Sequence, residues 1–374
     1  MIGVLADDFS GAAEIAGVAL RHGLSVELFT ELPSTASADV LVTDTNSRSL
    51  SRDAAIARVR ARLHQLQKMQ PAWIYKKTDS VLRGHVVPEL AVMMQDLQKT
   101  RVLLIPANPG NERIVSNGKI YIKGQLLHHT VFRHDPEYPA RHAEVLRLLE
   151  TRHDNVKKVL KITGENLPAE GIVVGETRNR DELERWADTW NESFLPAGGS
   201  EFFSALLHRL GHARCENLLP QKLFRDKMVL NLWGTSIQSA EKTGRFQQAG
   251  FHFFEIPVPD SCADQAGLSE QIIRMAGLIR DKKRLVLKPS GRNFTCYCAS
   301  LLRALLDKVH IDEFIIEGGT TASEMLRYLN WNEFRPVLEI APGIVRLVVM
   351  QHPGLNLTVK PGSYAWPEQV WQIL

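Results

Sequence analysis

Short apolar runs recur along the chain, and each ends in a polar or glycine-containing stretch. In the first part these runs are MIGVL, SVELFT, ADVLVTDT, WIYKK, RVLLIPA and GIVVGET. Between them lie segments with helical spacing. Residues 12–22 are rich in small apolar side chains, and residues 52–69 place Ala55, Ile56, Val59, Leu63 and Leu66 on one face. VVPELAVMMQDLQ and EFFSALLHRL read as further helices, and YIKGQLLHHT as a short hairpin inserted in the pattern. A second series follows in MVLNLWG, FHFFEIPV, RLVLKPS, EFIIEGGT, IVRLVVM and LTVKPG. Strands alternating with helices predict mostly parallel sheets joined by right-handed crossovers. The polar, proline-containing stretch CENLLPQKLFRDK separates the series and puts a boundary near residue 222. The fold class expected is therefore α/β in two domains, 1–222 and 223–374, each a mostly parallel sheet flanked by helices. The active site is expected in the cleft between them.

A length of 374 residues fits two cores better than one. Hydrophobic residues at 44% and charged residues at 23% are those of an ordinary globular chain. A formal charge of +3, with no basic cluster interleaved with aromatics, argues against a nucleic-acid surface. The cysteines Cys215, Cys262, Cys296 and Cys298 lack zinc spacing and read as reduced thiols. Asp7 and Asp8 interrupt any signal-peptide core, and no run approaches the length of a membrane span. A cytoplasmic protein with no membrane partner is expected.

The candidate chemistry lies where strands end. Asp7 and Asp8 stand side by side between MIGVL and the first helix. TDTNSRS (43–49), KKTDSVLRGH (76–85) and PANPGNERIVSNG (106–118) follow three other strands. In a parallel sheet all four loops share one edge, the usual ligand edge of open α/β sheets. KKTDSVLRG packs amines, a carboxylate, hydroxyls and a guanidinium into nine residues, a set suited to a small polyhydroxy acid. A solvated turn with a local Asp79–Arg83 pair is the plainer account of that loop alone. In the second domain NLWGTSIQSA, LKPSG, IEGGTTASEML and VKPGSYA combine glycine with hydroxyl residues, as a phosphate cradle requires. Neither a Walker A pattern nor G-x-G-x-x-G occurs.

The order of ADDFSGA, KTDSVLRG, PANPGNERIVSNG, AGGSEF, EGGTTA and VKPGSYA resembles the four-carbon acid sugar kinase family over nearly the whole chain. The resemblance implies an N-terminal sugar-acid-binding domain and a C-terminal nucleotide-binding domain. It implies transfer of a phosphoryl group from ATP, with Mg²⁺, to the 4-hydroxyl of threonate, erythronate or 3-oxo-tetronate. By position, Asp8 and Asp79 would be catalytic, and Asp7, Lys77, Ser80, Arg83, Gly84 and Asn108 would bind the sugar acid. Lys77 and Arg83 would hold its carboxylate. Gly234, Thr235, Ser236, Gly318, Gly319, Thr320, Thr321 and Gly362 would face ATP. Mg²⁺ would bridge the phosphates, with no dedicated protein metal ligands. The partners implied are the sugar acid and ATP, with a homodimer among the assemblies allowed. The chain departs from the family pattern at Ser10, Thr235, Glu176, Tyr364 and Ala365.

Two other readings stay open on the residues alone. One is a phosphatase with an aspartyl nucleophile, which usually spaces its aspartates Asp-x-Asp rather than side by side. The other is a non-catalytic sugar-acid sensor, which needs no second domain of phosphate-type turns. Of the two aspartates, one is expected to reach the substrate and the other to cap the helix, with Asp8 preferred as the ligand.

Overall fold

The structure is a computed structural model and describes residues 1–149, 156–160, 167–215, 223–224, 227–234, 240–258, 265–290 and 294–371. The chain forms two compact units. One comprises Met1–Glu27 and Leu32–Cys215, the other Leu28–Glu31 and Glu216–Leu374. The boundary expected near residue 222 lies outside the described residues.

The first 215 residues run β1 (Ile2–Ala6), α1 (Phe9–Arg21), β2 (Val26–Phe29), β3 (Val40–Asp44), α2 (Arg52–Gln67), β4 (Trp73–Lys77), α3 (Val86–Asp96) and β5 (Arg101–Ile105). They continue through β6 (Arg113–Ser116), β7 (Lys119–Ile122), β8 (Gln125–Leu126), α4 (Val145–Leu148), β9 (Val156–Leu160), β10 (Gly171–Gly175), α5 (Arg180–Thr189), β11 (Phe194–Gly198) and α6 (Ser200–Arg209). Within the first unit the strand order is β3-β1-β4-β11-β5-β10-β9, parallel throughout. Helices α1, α6 and α5 pack side by side, and α2 packs on α3. β1, β3 and β10 are buried along their whole length, which is why their sequences are continuous apolar runs rather than alternating ones. The expected hairpin is present as β7 and β8, with β6 completing a small antiparallel sheet.

Two differences from the sequence reading have clear causes. Helix α1 begins at Phe9 rather than at residue 12, because Asp8 caps it and Phe9, Ser10 and Gly11 are buried helical residues. β11, FLPAG, is a central strand despite Pro196 and has no counterpart in the expected list. Small residues set the packing distances. A Cβ on Gly3 would lie 2.6 Å from Leu66 Cδ2, so β1 lets α2 approach closely.

The second unit contains β12 (Val229–Trp233), α7 (Ala240–Gln248), β13 (His252–Pro257), α8 (Gln265–Lys282), β14 (Arg284–Ser290), α9 (Phe294–Leu306), β15 (Glu313–Glu317) and α10 (Gly319–Leu329). It ends with β16 (Glu333–Ala341), β17 (Ile344–Val349), β18 (Asn356–Lys360) and α11 (Glu368–Trp371). β13-β14-β12-β15-β18 are parallel, as expected. β17 and β16 then add as an antiparallel pair, and Leu28 and Phe29 add beyond β16. β16 went unrecognised because its buried and exposed positions mix and Pro336 interrupts it. Trp233, Phe246, Phe251, Trp366 and Val370 belong to a buried cluster in the core of this unit. No described helix is long and apolar enough to cross a membrane.

Gly198 illustrates how tightly the first sheet is built. Its φ is +143°, and a Cβ there would lie 2.0 Å from the Ile105 carbonyl oxygen. Gly198→Ala is expected to cost at least ~2 kcal/mol, because both backbone strain and a backbone clash must be relieved. A thermal unfolding midpoint equal to that of the unsubstituted protein would show that the strand tolerates a side chain.

Candidate active site

β1 connects to β3 on one side of the first sheet, and β3 leads on to β4 on the other. The connections therefore diverge between β1 and β4, the place where open α/β sheets form a crevice at their carboxyl edge. Loops after β1, β3, β4, β5 and β11 all leave that edge, which gathers the four expected loops and adds AGGSEF.

Asp8 is extended (φ −144°, ψ 161°) and serves as the N-cap of α1. Its Oδ1 accepts the Gly11 N–H at 2.7 Å, and its Oδ2 accepts from Ser10 Oγ at 3.0 Å and Arg48 Nη1 at 2.8 Å. Asp7 Oδ2 accepts from Arg48 Nε at 2.8 Å and also lies 2.8 Å from Nη2. Asp7 Oδ1 is buried and has no hydrogen-bond partner among the described residues. Asp8, the aspartate preferred from sequence as the ligand, is the one that caps the helix here. The cap takes its Oδ1, and Ser10 and Arg48 take its Oδ2, whereas Asp7 keeps one oxygen open among the described residues.

The loop after β4 is charged and buried. Arg83 grips Asp79 with Nε to Oδ2 at 2.8 Å and Nη2 to Oδ1 at 2.9 Å, while Nη1 reaches Asp135 Oδ2 at 2.8 Å. The local pair considered from sequence is therefore real, but it is enclosed rather than solvated. Lys77 Nζ donates to the Thr78 carbonyl at 3.0 Å and lies 3.2 Å from Glu14 Oε2. Both cations expected to meet a substrate carboxylate are thus already matched by carboxylates of the chain. Ser80 Oγ accepts from Arg113 Nη1 at 2.8 Å. Gly84 has φ +88°, and a Cβ there would lie 3.2 Å from Arg48 Cγ, so its function in the fold is to let Arg48 pass. Asn108 Oδ1 accepts the Glu201 N–H at 3.2 Å and so holds the first turn of α6.

Burial pushes the Asp7 carboxyl up, but Arg48, with Lys76 and Lys77, outweighs it and holds the group below the usual carboxylate range. Burial likewise raises Asp79, and Arg83 and Arg48 more than reverse that. Glu201 goes the other way. Burial raises it from 4.5 to about 7, against a partial lowering by the Gly110 N–H that it accepts at 2.9 Å. Beside these loops, a cavity of about 620 Å³ is lined by Arg52, Arg83, His85, Tyr138, Arg141 and Arg147 among others.

In the second unit the strands also diverge, between β12 and β15. Gly234 N donates to the Glu317 carbonyl at 3.1 Å, and a Cβ on Gly234 would lie 2.4 Å from that oxygen and 2.6 Å from Thr321 Oγ1. Gly318 (φ +114°) caps α10 without a side chain and donates its N–H to the Lys360 carbonyl at 2.9 Å. Gly319, Thr320 and Thr321 then form the first turn of α10 at the strand edge. Gly234, Gly318 and Thr321 are thus brought together. Gly362 lines a cavity of about 260 Å³ with Lys242, Arg245, Lys360, Tyr364 and Trp366. Thr235 and Ser236 lie outside the described residues. Beneath this cavity Glu317 is paired with Lys242 at 2.8 Å and Lys360 at 3.1 Å. Burial raises its carboxyl, and the two lysines hold it below its ordinary value. Among the described residues no three His, Cys, Asp or Glu side chains gather as a metal site.

A sugar-binding N-terminal domain model matches residues 2–206, and a nucleotide-binding C-terminal domain model matches residues 272–364. The chain belongs to the four-carbon acid sugar kinase family. A 3-oxo-tetronate kinase of Brucella melitensis is 28% identical over 405 residues, covering 97% of this chain and 92% of its own. A D-threonate kinase of Salmonella typhimurium is 33% identical over 151 residues, 39% of this chain and 36% of its own. A Haemophilus influenzae protein of the DUF1537 family has the same fold, with a TM-score of 0.70 at 19% identity and 100% of each chain covered. Seen within the family, the residues that sequence reasoning missed are Arg48, Arg113, Asp135 and Glu201. Arg48, Arg113 and Glu201 lie inside stretches already singled out, TDTNSRS, PANPGNERIVSNG and AGGSEF, without being picked from them; Asp135 lies in none.

The raised carboxyl of Glu201 predicts a pH effect on stability. Below about 4.5 it is protonated both folded and unfolded; between about 4.5 and 7 the folded state alone keeps the proton, so stability falls as pH rises through this window. Glu201→Gln removes the titration. Its stability relative to the unsubstituted protein should improve between pH 4 and pH 8 in denaturant unfolding, and an unchanged difference would place the Glu201 carboxyl at an ordinary value.

Proposed function

We propose that the protein transfers the γ-phosphoryl group of ATP to the 4-hydroxyl of a four-carbon sugar acid of the threonate, erythronate or 3-oxo-tetronate type. The observation that carries this reading is the match of both units, end to end, to kinases of 3-oxo-tetronate. Mg²⁺ would enter with the nucleotide and would supply charge neutralisation at the phosphates, with few protein ligands needed.

The reaction forms a bond between the 4-hydroxyl oxygen and the γ-phosphorus and breaks the bond to the bridging oxygen of ADP. The hydroxyl proton must go to a base. Asp7 Oδ1 suits that role, being buried, ionised and unpartnered, whereas both oxygens of Asp8 and of Asp79 already accept hydrogen bonds. Thr78 Oγ1, also buried and unpartnered, is available to a sugar hydroxyl. In the second unit, the bare first turn of α10 offers backbone N–H groups to phosphate, and Gly234 and Gly318 keep side chains out of its way. Phosphoryl transfer asks mainly for such positioning and charge stabilisation.

Release of ADP in the presence of each four-carbon acid tests the reaction. Asp7→Asn is expected to lower kcat by roughly 10²–10⁴-fold with KM for ATP preserved. Asp8→Asn, which keeps an oxygen for the Gly11 N–H, should chiefly lower the unfolding temperature. Near-full turnover in Asp7→Asn would remove Asp7 as the proton acceptor.

A further inference from the structure

We propose that Arg48 is the positioning residue of this site: it fixes the orientation of Asp7 and leaves Oδ1 as the open oxygen. The inference rests on the kinase reading for its catalytic consequence, but not for its structural content.

Arg48 is buried and fixed along its whole length. Its N–H donates to the Asp7 carbonyl at 3.3 Å, and its carbonyl accepts the Tyr138 hydroxyl. Its Cγ occupies the space that Gly84 leaves by lacking a side chain. Its guanidinium takes Asp7 through Nε and Nη2 and Asp8 through Nη1, and Nη2 stands 4.0 Å from Asp79 Oδ1. A guanidinium is planar with donors in a rigid fork, so gripping two carboxylates at once fixes the rotation of both. Asp7 binds side-on through a single oxygen, and this leaves Oδ1 free. A lysine could supply the charge in this place but could not fix that rotation.

The other charges around Asp7 do not replace Arg48. Lys76 is paired with Glu89 at 2.7 Å, and Lys77 with Glu14 at 3.2 Å, on β4, α3 and α1. Asp8 and Asp79 are like charges, and Arg83 is taken by Asp79 and Asp135. Tyr138 is neutral at ordinary pH, with its hydroxyl directed to the Arg48 carbonyl. Among the described residues Arg48 is the cation that bonds to Asp7 directly.

The test compares Arg48→Met and Arg48→Lys with the unsubstituted protein in two measurements. The first is the pH profile of kcat with ATP and the best four-carbon acid. The second is the pH titration of the Asp7 carboxyl carbon by NMR, assigned through Asp7→Asn and needing no turnover. Arg48→Met should raise the Asp7 titration and the acid limb of kcat together, by roughly 1–3 pH units. It should lower kcat at neutral pH on the order of 10²-fold while leaving KM for ATP unchanged. Arg48→Lys should restore most of the titration but little of kcat, because the charge returns without the fork. If Arg48→Met does not fold, that separation in Arg48→Lys carries the test. An unmoved Asp7 titration and acid limb in a folded variant with only a lower unfolding temperature would overturn the proposal and make Arg48 a structural ion pair. If the unsubstituted protein phosphorylates no four-carbon acid, the kinase reading fails, and the NMR titration still decides what Arg48 does to Asp7.

Discussion

Like charges buried at the end of one strand cannot coexist without a cation between them. Two unit charges at 4 Å repel by about 4 kcal/mol even at an effective dielectric constant of 20. β1 delivers Asp7 and Asp8 to the same edge at which β4 delivers Asp79. The geometry of the whole edge follows from how that repulsion is relieved. Arg48 stands among the three carboxylates, Arg83 links Asp79 to Asp135, and the lysines of β4 take Glu14 and Glu89. Opposite charges alternate through the network, so removal of any one member leaves a buried charge exposed to its like neighbours.

The second unit solves the same problem with a different balance. There the carboxylate is single and the cations are two, since Glu317 sits between Lys242 and Lys360. The first edge therefore retains a surplus of acceptor oxygens, and the second a surplus of positive charge. Under the proposed reaction those surpluses agree with what each edge would meet, a hydroxyl that loses its proton and a phosphate chain that carries negative charge.

The strands and their common edge were legible in the sequence because buried parallel strands are apolar on both faces and leave few alternatives. Asp7, Asp8 and the KTDSVLRG loop stood out for the same reason, as polar residues ending apolar runs. Arg48 did not stand out. TDTNSRS was one of the four strand-end loops, but nothing in it singles out Arg48, and the contact that gives Arg48 its meaning spans 41 residues of chain. Which aspartate would cap the helix depended on where α1 begins, and boundaries are the least secure part of a periodicity argument. β11 and β16 were hidden by Pro196 and Pro336, residues that ordinarily argue against a strand. Glu201 could not be foreseen, since its proton affinity is a property of its surroundings and not of its type.

Leu28–Glu31 belong to the second unit, although the rest of the second unit begins nearly two hundred residues later. Phe29 pairs with Glu333, and Thr30 N–H bonds to the Asn332 carbonyl at 3.0 Å. The border strand of the second unit is therefore completed by a segment that the ribosome makes first. On its other side β2 neighbours β3, so this short strand is shared; without it, the end of β16 would present unpaired amides and carbonyls. A fragment cut between them in sequence would lack a strand on one side and carry a surplus one on the other.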